Sequence, residues 1–200
     1  MVFTLIFGKV AKIPTDGIPP FVFYLSGTVV WGYFAHCLNE TSKTFVTNAQ
    51  IFGKVYFPRI TVPIAVGITA VLQFIIQFVV FLFFLVYFKS KGSLIYPNIY
   101  ILMLPLIIIQ MAVLGLGFGI LISSLTTKYK DLTFVMSFFV QLWMYATPIV
   151  FPLSIIPDKY RILAAINPMT SIVEVFKKIF LGTSAIETSH ILMSILSTLI

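Results

Sequence analysis

Four long apolar runs, at residues 21–38, 60–88, 99–125 and 132–151, alternate along this chain with polar connectors, and shorter apolar stretches lie at 1–7 and 190–200. A helix that crosses a bilayer needs about 20 predominantly apolar residues. Each of the four long runs therefore predicts one spanning helix, and the two outer stretches read as parts of a first and a last span. Residues 60–88 exceed a single crossing, so that helix must tilt or protrude. Between the first stretch and the first full span, Lys9, Lys12, Pro14, Asp16, Gly17, Pro19 and Pro20 mark a loop.

Two connectors have patterns of their own. In the first, residues 42–59, Phe45, Ala49, Phe52 and Tyr56 recur at helical spacing, and Lys43, Thr47, Gln50 and Lys54 recur on another face. This predicts an amphipathic helix that ends at Pro58, which lacks a backbone donor, leaving Arg59 at the mouth of the next run. Periodicity alone is equally satisfied by a connector resting on lipid. The second segment, residues 152–182, is too polar to span and too apolar to be a free loop. Asn167 followed by Pro168 is a helix start, Ile172, Val175, Phe176, Ile179 and Phe180 form an apolar face, Glu174, Lys177 and Lys178 a polar one, and Gly182 a stop. At about 14 residues such a helix is too short to cross, so it is expected to be re-entrant or interfacial, with residues 157–166 as a second short helix antiparallel to it.

Composition agrees with a membrane protein: 60% of residues are hydrophobic, 10% are charged and the mean hydropathy is +1.07. The net charge of +7 comes mostly from connectors, where snorkelling and headgroup contact account for it, and nucleic acid is not an expected partner. Cys37 has no cysteine to pair with, and His36 sits near the end of its span. Gln73 and Gln77 lie one turn apart and mark the side turned from lipid. Gly115 and Gly119 form a GxxxG pair that Ser123 extends, a stripe that lets another helix backbone approach. Gln141, Trp143, Tyr145 and Pro148 gather towards one end of their span.

The chain carries no phosphate-binding loop, no nucleophile–base arrangement, no metal-ligand cluster and no central carboxylate within a span. No catalytic residue, metal or cofactor is expected in this chain, and a pump built on it must take its energy from another subunit.

Four motifs in order then carry a resemblance: KVYFPR followed by Pro63, SSLTTKYKDLTFV, QLWMYATPIVFP and INPMTSIVEVFKKIFLG. Together they resemble the permease subunits of ABC-type-2 transporters that export O-antigen, capsule or teichoic acid. The resemblance implies an all-α integral membrane protein, a single transmembrane domain over 1–200 with the six-helix permease fold, its first and last spans incomplete in this sequence. It implies short re-entrant helices near the outer mouth and a location in the bacterial or archaeal cytoplasmic (inner) membrane. The implied partners are a second copy of the permease, two cytoplasmic subunits that use ATP and Mg, membrane lipid and a lipid-linked glycan.

On that resemblance the first connector is the coupling helix that contacts the ATPase through Phe45, Asn48, Phe52, Lys54, Tyr56, Pro58 and Arg59, with Lys128, Tyr129 and Asp131 as a weaker second contact. A glycan pathway needs polar or aromatic lining, because unpaired hydroxyls are costly and sugar C–H faces stack on rings. Gln73, Gln77, Gln141 and Tyr145 are the expected lining, with Tyr145 and Gln141 one turn apart; the alternative places Tyr145 in an outer aromatic belt and Gln141 against a neighbouring helix. Other readings are an exporter of a small drug or lipid, and a channel or scaffold that does not pump. With both motif connectors inside, Lys43, Lys54, Arg59, Lys128 and Lys130 face eight basic residues on the other side, so charge count alone favours the reverse orientation. Four of those eight fall in 152–182, which is not a short loop, and the motifs set the orientation used here.

Overall fold

The computed structural model of the protein describes residues 14–52, 58–93, 99–129, 131–157, 164 and 167–182. The stretches 1–7 and 190–200, the contact residues Lys54 and Tyr56, and most of the second short helix expected at 157–166 lie outside them.

Among the described residues the fold is helical throughout: α1 (Pro20–Ser42), α2 (Thr44–Thr47), α3 (Ala49–Phe52), α4 (Thr61–Ser90), a 3-10 turn (Ile99–Met103), α5 (Leu104–Lys128), α6 (Leu132–Ala146), a second 3-10 turn (Leu153–Ile155) and α7 (Pro168–Leu181). Three of these, α1, α4 and α5 with its leading turn, are long and apolar enough to cross a membrane. At 1.5 Å per residue the 30 residues of α4 reach roughly 45 Å, well beyond the hydrocarbon core.

The subunit is arranged around α1, which packs against α5, α4, α7 and α6. Two thirds of its apolar window is buried, against 17% in α4 and 22% in α5, so α1 is the core and its neighbours turn apolar faces outward. Ile64, Ile68, Leu72, Ile76 and Phe83 of α4 and Phe134 and Phe138 of α6 are among the exposed side chains, as a surface meeting lipid or another helix requires.

Small residues set the α1–α5 distance. A Cβ built on Gly115 would lie 3.0 Å from Cys37 Cβ, and one on Gly119 only 2.5 Å from Thr41 Cβ. Ser123, the next small residue of the stripe, is buried on the same side. The whole stripe is thus spent inside the subunit, against α1. Phe78 and Phe81 of α4 meet Phe176 and Phe180 of α7 edge-on or tilted, with centroids 5.4 Å apart for Phe78–Phe180 and 5.5 Å for Phe81–Phe176.

Several element boundaries depart from the sequence reading. The run 132–151 is helical only to Ala146, because Thr147 precedes Pro148 and takes the extended backbone that position favours (ψ 143°). Helix α5 continues through Thr126, Thr127 and Lys128, which the sequence reading placed in a connector. Among the described residues the amphipathic stretch is divided into α2 and α3 by a break at Asn48 (φ −100°, ψ 14°). There the Asn48 backbone N–H and its side-chain amide both donate to Thr44 O, at 3.0 and 2.9 Å.

Candidate functional site

The end of the subunit where α1 and α5 both finish brings together two connectors, the one at 42–59 and the short one at 126–131 that follows the α5 run. Gly119 admits Thr41 at close range, and Thr126, fully buried, donates its hydroxyl to Ser42 O at 2.7 Å, joining the last turn of α5 to the last turn of α1. Beyond this tie the chain turns into α2, which packs on α5. Phe45 of α2 meets Phe52 of α3 with ring centroids 5.7 Å apart. Together with Ala49, Arg59 and Thr127 these rings line an open cavity of about 340 Å³.

Thus Phe45, Phe52 and Arg59, from the first connector, and Thr127, beside Lys128 and Tyr129 of the second, share one concave surface. Arg59 and Pro58 are exposed at its rim, and Asn48 is half-buried because its amide is spent on Thr44. Tyr129 is exposed with the Lys128 ammonium 5.4 Å from its ring centroid, and Asp131 is exposed where α6 begins. Lys43, on the opposite face, pairs with Glu40 at 2.7 Å, both about 40% exposed, so that pair contributes little. Chemically, the surface offers aromatic faces, a guanidinium and an apolar hollow, which suits a protein side chain better than a small polar ligand. Thr126, Thr127 and Ser42 were missed by sequence reasoning; the adjacent threonines before Lys128 were the available signal, since a buried threonine near a helix end needs a carbonyl partner.

The expected lining residues do not converge within one subunit. Gln73 is exposed on α4, whereas Gln77 turns inward, its Oε1 lying 3.0 Å from where a Cβ on Gly32 would be. The two glutamines therefore do not act as one inward stripe; Gln77 uses the gap left by a glycine of α1. Gln141 and Tyr145 are both exposed on α6, one turn apart. Trp143 sits on the other face of α6 and packs edge-on to Trp31, Phe34 and Phe118, with centroids 6.3, 5.3 and 5.6 Å away, which makes it core.

At the opposite end from the connectors, α7 is capped as its sequence reads. Asn167 Oδ1 accepts from Met169 N at 3.1 Å, Pro168 takes the first turn, and Gly182 adopts the left-handed conformation (φ 77°). Its expected polar face differs: Glu174 and Lys177 are 3% and 1% exposed, and Lys178 alone of the three is half-buried. The Lys177 ammonium donates to Pro148 O at 2.5 Å, pairs with Glu174 Oε1 at 3.4 Å and lies 3.9 Å from the Phe23 ring centroid. Those contacts offset the burial that would otherwise force the charge outward. Burial still lowers its pKa from the usual 10.5 to about 8, with Glu174 and Asp16 opposing the shift.

The ABC-2 type transporter family matches residues 1–181. An O-antigen export system permease protein RfbA of Klebsiella pneumoniae is 29% identical over 194 residues, 96% of this chain and 72% of that protein. A second protein of that name from the same organism is 28% identical over 183 residues, covering 91% and 68%. One from Myxococcus xanthus is 25% identical over 183 residues, covering 90% and 67%. With three helices able to cross a membrane and a family match over most of its length, the chain belongs to the ABC-2 type transporter family, as a multi-pass permease of the cytoplasmic (inner) membrane.

Proposed function

We propose that this permease moves a lipid-linked polysaccharide, O-antigen-like or teichoic-acid-like, out across the cytoplasmic membrane, as one of two copies driven by two ATP-binding subunits that use ATP and Mg. The observation that carries the reading is that relatives named as O-antigen export permeases align with 90% to 96% of the chain.

In this reading the cavity between Phe45, Phe52, Arg59 and Thr127 receives the ATP-binding subunit. Because Thr126 ties α5 to the end of α1, a push on that surface reaches the central helix directly and, through it, α4, α6 and α7. The outward faces of α4 and α6 supply both the lipid contact and the surface for the second copy, and Gln141 and Tyr145 line the path between copies. The test is purification of the permease with its ATP-binding subunit, followed by ATP hydrolysis in liposomes with and without a polyprenyl-linked glycan. Hydrolysis should rise with the glycan lipid. Stimulation by small amphipathic drugs instead would assign a different cargo, and purification without any ATPase would favour a channel or scaffold.

A further inference from the structure

Lys177 is a fully buried ammonium that the proposed transport path does not use. It stands in the last stretch of α7, yet its partners belong to three places: Glu174 on its own helix, the Phe23 ring on α1, and the carbonyl of Pro148. That carbonyl belongs to the elbow that follows α6, where the helix has been broken and a C=O would otherwise go without a helical N–H. A cation at this point also faces the negative end of the α6 dipole.

A second tie reaches the same elbow from the other end of α7. Asn167, while capping α7 with its carbonyl oxygen, donates its amide to Thr147 Oγ1 at 3.0 Å. Residues 147 and 148 are therefore held by both the start of α7 and its Lys177, ten residues apart on that helix. By contrast α6 is lightly held: Val140 is its one buried residue, and most of the helix is exposed. Asp16, bonded to Ser154 Oγ at 3.0 Å, is the other charged group directed at this cluster among the described residues.

We infer that Lys177 is a positioning residue that fastens α7 to the elbow after α6, so that the two helices move as one body when the permease changes state. This rests on the exporter reading only for its consequence, that the outer end of the path opens and closes with α6. A side chain serving merely to fill space would be replaceable by methionine, which matches its stem and lacks the charge.

The experiment places spin labels on cysteines at Phe138, exposed on α6, and Lys178, half-buried on α7, in the nanodisc-reconstituted complex with its ATP-binding subunits. A single narrow distance, the same without nucleotide and with ATP trapped, is expected for the parent and for Lys177→Arg. Lys177→Met combined with Glu174→Gln, which leaves no carboxylate stranded, should broaden or split it. A narrow distance in that double variant, or a parent distance that changes between states, would overturn the inference. Should the double variant fail to accumulate, a disulfide across Thr147→Cys and Asn167→Cys decides: oxidised protein hydrolysing ATP at the reduced rate supports the unit, and loss on oxidation refutes it. No readout involves a glycan, so failure here is distinct from a wrong cargo.

Discussion

Gly117 and Gly119 lie two residues apart on α5 and should respond oppositely to the same substitution. A Cβ at Gly119 would stand 2.5 Å from Thr41 Cβ, 2.7 Å from Thr41 Cγ2 and 3.3 Å from Leu38 O, so α1 must retreat by roughly 1 Å to reach ordinary contact. At Gly117 a Cβ would meet nothing within 4 Å. Overpacking of this kind costs about 1 to 3 kcal/mol. Both substitutions share the same helix-propensity gain, up to about 1 kcal/mol, so the gap between Gly119→Ala and Gly117→Ala isolates the packing cost. We expect Gly117→Ala to be as stable as the parent or more so, and Gly119→Ala to be about 1 to 3 kcal/mol less stable than Gly117→Ala. The assay is unfolding of the detergent-purified permease by denaturant titration. Adding Thr41→Gly to Gly119→Ala removes the side-chain atoms that the new Cβ meets and should recover part of the loss, a non-additivity expected only of residues in contact. Equal stability of the two alanine variants would show that α5 does not approach α1 through this stripe.

Four further outcomes are expected. Phe52→Ala with Arg59→Ala should cost roughly 2 kcal/mol or more of ATPase association, measured by co-purification, while Lys43→Ala, on an exposed pair, leaves it unchanged. Thr126→Val keeps shape but removes the donor to Ser42 O and should cost about 1 kcal/mol or more of stability in the same titration. Gln141→Leu with Tyr145→Leu should impair glycan export without loss of folded protein, since both side chains are exposed; normal export would remove them from the path. Because Lys177 has a pKa near 8 when folded and 10.5 otherwise, the unfolded chain holds more protons between those values, and this group adds stability as pH rises through that window. Lys177→Met should flatten the slope, as read from unfolding at pH 7 to 10.

The legible parts of this fold were those set locally. Apolar runs marked the spans, and Asn167, Pro168 and Gly182 marked α7, because caps depend on residues a few positions apart. The span at 132–151 was carried through Pro148 because the apolar run continues to Phe151. Periodicity joined α2 and α3 into one helix because it weighs side-chain spacing and not the backbone turn at Asn48 (φ −100°, ψ 14°). What depended on distant partners was hidden. Lys177 reads as solvated until the Pro148 carbonyl, 29 residues away, is placed beside it. Trp143 and Tyr145, two residues apart, differ only in which of them faces α1. The motifs put the 42–59 connector and the 126–131 connector on one side of the membrane, but the cavity between them needed the Thr126–Ser42 tie.

Photo-crosslinking tests that shared surface most directly. A photoreactive amino acid placed at Ala49 or Thr127, both exposed at the cavity, should crosslink to the ATP-binding subunit in intact membranes, while the same group at Val79, exposed on the outer face of α4, should not. Crosslinking from Val79 but from neither cavity position, or labelling of Ala49→Cys by a membrane-impermeant reagent added outside the cell, would contradict both the site and its orientation.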